Sequence, residues 1–293
     1  MSELETKYVV TFDVGGSHVG AGLCRLSDLA IVRRSSGLLK NIASFDGFVT
    51  LLHELGTEAA AGETPIGASI AAPGPFDYDA GISLMQHKLE YLYKQDMRNA
   101  LATRFGWTPQ QVRFLNDAAA YVLGEVGAGS LKGTARSAGL TLGTGVGCAF
   151  VVNGRHVTSG EGVPPGGEIW NFPYEGGTVE DLISTRWIQT AYTVKTGAKK
   201  EVLEIAEAAS SYAVARETFE EFGHNLGNVL RDVIAPFKPE RVMIGGGIAR
   251  SASLFLPAVE RQVQELGFGV VLDTLDDQAA LVGAAQFWRE TAA

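Results

Sequence analysis

The stretch Thr141-Leu142-Gly143-Thr144-Gly145-Val146-Gly147 limits what this chain can fold into more than any other. An apolar run over residues 138–142 enters a turn with glycine at alternate positions, and a second run, 148–152, leaves it. The pattern predicts two strands meeting at a turn. Glycine at Gly143, Gly145 and Gly147 removes the Cβ atoms that would hold a ligand off the backbone, and it permits positive φ. Exposed N–H groups in such a turn form a concavity that binds anions. An ordinary tight β-hairpin would use the same residues.

Two further turns share this character. Residues 8–12 read as a buried strand running into Asp13-Val14-Gly15-Gly16-Ser17, with 19–26 as the next strand. An aspartate there would repel a phosphate unless a cation lay between them. Mg²⁺ commonly uses one or two carboxylates together with substrate phosphates. Gly245-Gly246-Gly247 follows an apolar strand, 241–244, and precedes a helix. Three strand-to-glycine turns in one chain point to a polyphosphate held from several sides.

Between these turns the pattern alternates strands and helices. Residues 29–36 read as an antiparallel strand. Asp46 is expected to cap a helix carrying Phe48, Leu51, Leu52 and Leu55, with His53 on its solvated side. A buried strand, 66–72, ends at Pro73-Gly74-Pro75, and ligand crevices form at such strand ends in α/β sheets. Asp96 opens a helix that Gly106 closes. A short strand, 112–115, runs directly into Asn116-Asp117, where either residue can cap helix 118–126. The carboxylate can equally be aimed into a cleft, and both roles can be filled by different members of the pair. Helices are expected over 199–209, 211–234 (broken by Pro236), 251–266 and 278–290, with a strand over 270–272.

At 293 residues the chain exceeds what one hydrophobic core usually organises, so two domains are expected. A formal charge of −9 argues against nucleic acid or an anionic membrane as partner, since both need a basic face. No apolar run has the length of a membrane span, and residues 1–7 are polar and acidic, unlike a secretory signal. Cys24 and Cys148, the only cysteines, lie in expected strands and read as reduced core residues. The expected location is cytoplasmic.

Taken together, Asp13-Val14-Gly15-Gly16, Ala72-Pro73-Gly74-Pro75, Asn116-Asp117-Ala118, Leu142-Gly143-Thr144-Gly145-Val146-Gly147, Gly167-Glu168-Ile169, Ile244-Gly245-Gly246-Gly247 and Ala279-Ala280-Leu281-Val282-Gly283-Ala284-Ala285 resemble the ROK family of bacterial sugar kinases and repressors. They run in that family's order over nearly the whole chain. The resemblance implies an α/β, two-domain actin-like ATPase (ribonuclease H-like) fold with a central cleft. Its expected domains are 1–116 with 279–293, and 117–278. It implies ATP-dependent phosphorylation of a sugar hydroxyl, glucokinase-like, with Asp117 as general base. Asn116, Asp117, Glu168, Asn171, Glu180 and Gly74 fall beside the sugar. Asp13, Gly15, Gly16, Ser17, Gly143, Thr144, Gly145, Gly245, Gly246 and Gly247 fall at ATP, with Asp13 holding Mg²⁺ through water. The partners are ATP and a small sugar, with a homodimer left open.

One stretch departs from the family. ROK sugar kinases commonly carry a histidine just after the position of Glu168, then three cysteines that bind zinc. Here Asn171 stands at the histidine position, and residues 171–180 contain no cysteine. No zinc site of cysteine and histidine ligands is expected. Order in this loop is expected from packing of Trp170, Phe172, Pro173 and Tyr174. Without the resemblance, Glu168 and Glu180 would read as a solvated acidic loop. Two rivals remain: a sugar-binding protein without catalysis, and a sugar-responsive repressor. The second is disfavoured by the charge and by the short run before the first strand.

Overall fold

The computed structural model describes residues 7–86 and 88–291, so most of the polar stretch 1–7 lies outside the described residues. The chain divides into two compact units, residues 1–132 with 277–293, and residues 133–276.

In the first unit, β1 (Tyr8–Val14) pairs antiparallel with β2 (His18–Arg25), which pairs antiparallel with β3 (Ile31–Leu38). β4 (Ala68–Ala72) and β7 (Val112–Asn116) extend the sheet in parallel, giving the order β3-β2-β1-β4-β7. A small hairpin of β5 (Phe76–Asp77) and β6 (Ile82–Ser83) follows β4. β1 is central and buries Val9, Val10, Thr11 and Phe12 in succession, as a strand covered on both faces must. β3 alternates half-buried and exposed positions, as an edge strand does. It begins at Ile31 because Leu29 takes a left-handed turn (φ 62°), which displaces the expected start at 29.

Three helices follow the strands: α1 (Phe45–Ala60), α2 (Met97–Phe105) and α3 (Asp117–Ala128). Ser44, not Asp46, caps α1; its hydroxyl accepts the Gly47 N–H at 3.1 Å, while Asp46 in the first turn pairs with Arg104 at 2.8 Å. His53 is half-buried with its ring 4.9 Å from Phe105, not solvated. Asp96 caps α2, and left-handed Gly106 ends it, as expected. The closing helix, Ala279–Thr291, lies along α3. Glycines set that contact: a Cβ on Gly124 would run into the Ala279 carbonyl, and one on Gly283 into the Ala120 carbonyl. This backbone-to-backbone approach places α3 in the first unit, whereas the boundary expected at 116 assigns it to the second.

The second unit repeats the arrangement. β8 (Arg136–Leu142), β9 (Val146–Val152) and β10 (Arg155–Val157) form an antiparallel meander. A small hairpin of β11 (Pro173–Tyr174) and β12 (Gly177–Thr178) lies in the connection that follows. β13 (Arg241–Gly245) and β14 (Gly269–Leu272) add in parallel, in the order β10-β9-β8-β13-β14. Helices α4 (Val179–Ile183), α5 (Thr185–Thr196), α6 (Val202–Ala208), α7 (Ala213–Val229) and α8 (Ala252–Val263) complete it. α5 goes unread in the sequence because only Ile188 and Tyr192 of its side chains are buried. α6 starts at Val202, three positions inside the expected helix, where the Glu204 carboxylate accepts the Glu201 N–H at 2.8 Å. α7 continues through a π turn, Leu230–Ile234, into a 3-10 turn at Pro236. Cys24 and Cys148 are buried, free thiols, and burial holds both well above the ordinary thiol pKa. Among the described residues no helix is long and apolar enough to cross a membrane.

Candidate active site

The first unit gathers its site residues at one end of its sheet. Strand register pairs Asp13 with Ala71 and Ala72 with Asn116, so Asp13 and the Asn116-Asp117 pair share the carboxyl end of β1, β4 and β7. The Asp13 carboxylate accepts no hydrogen bond from the described residues. Its pKa is pushed up to about 6, first by burial and then by the negative charge of Asp117, with His18 acting in the opposite sense. His18 supplies the one opposing influence, and it does not offset burial and Asp117. Beside it, the Gly15 N–H donates to the His18 carbonyl at 3.0 Å and closes the β1–β2 turn.

Neither Gly15 nor Gly16 takes a positive φ, nor do Gly143, Gly145 and Gly147. The conformational reason for glycine at these turns is therefore corrected, and close contacts within the protein account for glycine at two of them. A Cβ on Gly15 would press the His18 carbonyl at 3.2 Å, whereas Gly16 has no protein atom within 4 Å of that position. Ser17 is exposed, and its carbonyl accepts the Leu39 N–H at 2.9 Å.

Asn116 caps α3. Its Oδ1 accepts the Ala119 N–H at 3.1 Å, and its Nδ2 donates to the Tyr78 hydroxyl at 3.2 Å. Asp117 occupies the first helical position, where its Oδ1 accepts the Ala118 N–H at 2.8 Å. The helix dipole favours an anion there. Gly74 is exposed, and a Cβ on it would stand 3.6 Å from the Tyr78 hydroxyl.

In the second unit, the turn between β8 and β9 is held from below at two points. The Thr185 N–H donates to the Gly143 carbonyl at 2.9 Å, and the Val146 N–H donates to Glu180 Oε2 at 3.0 Å. The Gly143 N–H is spent on the Gly145 carbonyl at 3.1 Å. The N–H groups of Thr144 and Gly145, both exposed, have no acceptor among the described residues. They are the donors the turn can offer an anion. A Cβ on Gly145 would lie 2.9 Å from Glu180 Oε2. Gly246 is the one glycine of the third turn with positive φ (87°), and its Cβ would meet Leu142 backbone atoms at 2.7 and 2.8 Å. Glycine here lets the Gly245-Gly246-Gly247 turn sit against the end of β8, so two of the three turns are neighbours.

The 168–180 loop is ordered by Phe172 and Tyr174 as expected, but not by Trp170 and Pro173, which are exposed. Trp170 is 45% exposed, and its indole N–H donates to Glu168 Oε2 at 2.8 Å. Fully buried Ile169, with Phe172 and Tyr174 packed on the same core, takes the anchoring role instead. The Tyr174 hydroxyl donates to Asp232 at 2.6 Å, and the Glu180 N–H donates to the Trp170 carbonyl at 3.1 Å. Glu168 and Asn171 are exposed, while Glu180 is half-buried beneath the glycine turn. Reading the sequence missed that attachment, and it missed Tyr78. Among the described residues no group of three or more His, Cys, Asp and Glu side chains is gathered to hold a metal.

Comparison with known proteins adds to this geometry. The family model described as "ROK family" matches residues 12–291. The chain is 27% identical to the glucokinase of Thermotoga maritima, covering 96% of this chain and 97% of that protein. It is 26% identical to the beta-glucoside kinase of Klebsiella pneumoniae, covering 96% of each. Among solved structures, the ROK hexokinase of Thermus thermophilus superposes with a TM-score of 0.82 at 22% identity, over 98% of this chain and all (100%) of that one. A ROK family glucokinase from Streptomyces griseus, in complex with glucose and AMPPNP, gives 0.74 at 21% identity, over 96% of this chain and 98% of that one. A ROK family transcriptional regulator homologous to the E. coli MLC protein gives 0.78 at 20% identity, over 99% of this chain and 79% of that one.

Proposed function

The chain belongs to the ROK family, and we propose that it is an ATP-dependent sugar kinase in which Asp117 is the general base. Kinases and a regulator share this fold, so the fold alone does not carry the reading. The observation that carries it is the pairing of Asp13 and Asp117 at the carboxyl end of three parallel strands. The glucokinase and beta-glucoside kinase relatives, matched over nearly their full length, support a sugar as acceptor.

In this reading Asp117 accepts the proton of the attacking hydroxyl, and Asn116 and Gly74 lie beside the sugar. Glu168 and Asn171, exposed on their loop, offer an acceptor and an amide to sugar hydroxyls. Thr144 and Gly145 donate backbone N–H groups to phosphate oxygens, with Gly143, Gly245, Gly246 and Gly247 keeping side chains out of the way. At the first turn Gly16 and Ser17 would offer backbone N–H groups, while Gly15, whose N–H is held by the His18 carbonyl, keeps a side chain out of the way. Asp13 is the residue that would hold Mg²⁺ through water, since a half-buried carboxylate without hydrogen-bond donors, beside a second carboxylate, is suited to a cation. Bound there with ATP, the cation supplies neutralisation of phosphate charge. The reading includes no zinc and keeps the cytoplasm as the location.

Asp117→Asn tests the assignment, because asparagine keeps the shape and a helix-favouring first turn but cannot accept a proton. We expect turnover, read by coupled ADP release over a sugar panel, to fall about a hundredfold or more, the usual scale of general-base catalysis. Sugar and ATP binding should persist. Near-normal turnover would remove Asp117 from the chemistry.

A further inference from the structure

Asn116 has a side chain whose orientation is settled by its neighbours. Its Oδ1 is taken by the Ala119 N–H at the cap of α3, at 3.1 Å. Its Nδ2 faces the Tyr78 hydroxyl at 3.2 Å, and that hydroxyl donates its one proton to the Ala72 carbonyl at 3.1 Å. A carbonyl can only accept, so the hydroxyl must donate to it and is left to accept from Asn116. Both ends of the amide therefore agree on one orientation, and flipping it would face two donors at the cap and two acceptors at Tyr78.

Tyr78 itself is firmly placed. It stands in the turn of the β5–β6 hairpin, its ring stacks on Phe76 at 5.1 Å, and its carbonyl accepts from Arg98 at 3.0 Å. The same guanidinium also donates to the carbonyls of Asp79 and Val112, which ties the hairpin to the base of β7. Ala72 and Asn116 are register partners at the ends of β4 and β7, so the hydroxyl bridges two strand ends at the half-exposed rim where Asn116 and Asp117 lie.

We infer that Tyr78 is a specificity-determining positioning residue, which locks Asn116 so that it presents its one remaining N–H donor to the sugar while its carbonyl oxygen is held at the helix cap. An amide has two N–H bonds, and one is spent on Tyr78. The group that this second N–H reads must act as an acceptor: a hydroxyl through its lone pairs, or a carbonyl. This inference rests on the kinase reading for the identity of its ligand.

The test uses Tyr78→Phe, which keeps the stacked ring and deletes only the hydroxyl, with steady-state kinetics on the best sugar substrate and on its monodeoxy and monodeoxyfluoro analogues. Losing one orienting hydrogen bond should raise the sugar KM about tenfold while kcat and the ATP KM stay within about twofold. In the wild type, one deoxy position should be penalised most, and its fluoro analogue, which can still accept, should recover part of the loss. Tyr78→Phe should shrink that penalty and leave the other positions alone. Asn116→Asp is the second variant: it keeps the cap, since aspartate caps helices as well as asparagine does, but replaces the donor by an acceptor. It should lose sugar affinity with unchanged melting. An unaltered sugar KM in Tyr78→Phe, an equal loss at every deoxy position, or normal sugar affinity in Asn116→Asp would overturn the inference while the kinase reading stood. A wild type that turns over no sugar would overturn both.

Discussion

Asp13→Asn should make the ligand-free protein more stable and at the same time inactive. The carboxyl is raised from an ordinary 3.8 to about 6, mainly by burial and then by Asp117. A raised acid pKa means that the folded state holds the proton more tightly than the unfolded chain does. Stability from this group is therefore full below the unfolded value and is lost as pH rises towards the folded one. Roughly two pKa units at 1.36 kcal/mol each put the loss at about 3 kcal/mol, complete above about pH 6. Asparagine has no charge to bury. The difference in stability between variant and wild type should be close to zero near pH 4 and approach about 3 kcal/mol by pH 8. Asp117→Asn should recover only the smaller share, because burial is the first cause.

The assay must see the first unit alone. Trp107 and Trp288 lie in that unit, and Trp170 and Trp187 in the second, so replacing the latter pair by phenylalanine leaves fluorescence reporting on one unit. Urea titrations at several pH values then give the difference directly. Mg²⁺ with ATP at about a hundredfold excess over its Kd should stabilise the parent by about 2.7 kcal/mol and the Asp13→Asn variant much less. If the variant is no more stable than its parent at pH 8, or if the difference does not change with pH, Asp13 carries no stored charge penalty and its proposed role with the cation loses its support.

Two further outcomes follow from close approaches. Gly145→Val should raise the ATP KM about tenfold or more, because the new side chain displaces Glu180 from the Val146 N–H and crowds the turn; calorimetric titration with unchanged ATP affinity would take the turn out of the site. Gly283→Ala should cost about 3 kcal/mol or more, since its methyl would run into the Ala120 carbonyl, and backbone on α3 cannot step aside as a side chain can; a urea midpoint equal to the parent's would show that the two helices are free to separate.

The glycine turns and the strands around them are legible in the sequence because they are local: a buried apolar run, a glycine, another apolar run. Asp96 and Gly106 bound α2 for the same kind of reason, since a cap and a left-handed stop act within one turn of the helix. What could not be read are partnerships across long separations. The attachment of Glu180 to the Val146 N–H joins positions that share no periodic pattern. Trp170, an aromatic in a loop, invites the reading of a buried anchor, yet Ile169 takes that place and the indole turns outward to Glu168. The allegiance of α3 depends on Gly124 and Gly283, and a glycine within an alanine-rich helix reads equally well as tolerance or as contact. Tyr78 carries no signal in the sequence at all, because its meaning depends on where Ala72 and Asn116 end up.

The two units repeat one topology, three antiparallel strands extended by two parallel ones, but their first turns carry opposite chemistry. The last-but-one residue of β1 is Asp13, whereas the last-but-one residue of β8 is Thr141. Both are half-buried, so the difference is one of charge and not of exposure. Beside the second turn stand a hydroxyl and the exposed N–H groups of Thr144 and Gly145, which attract an anion, while the Glu180 carboxylate beneath is engaged by the Val146 N–H. Beside the first, a carboxylate already destabilised by burial and by Asp117 repels an anion until a cation intervenes. In the proposed reading a phosphate is held at the second turn by backbone donors, while the first turn needs the cation as well. That asymmetry suits a kinase, because the unit that carries the proposed base is also the one whose affinity for phosphate depends on the cation. The duplicated scaffold supplies two similar turns, and what distinguishes them is that the carboxylate of the first accepts no hydrogen bond among the described residues whereas Glu180 at the second accepts the Val146 N–H.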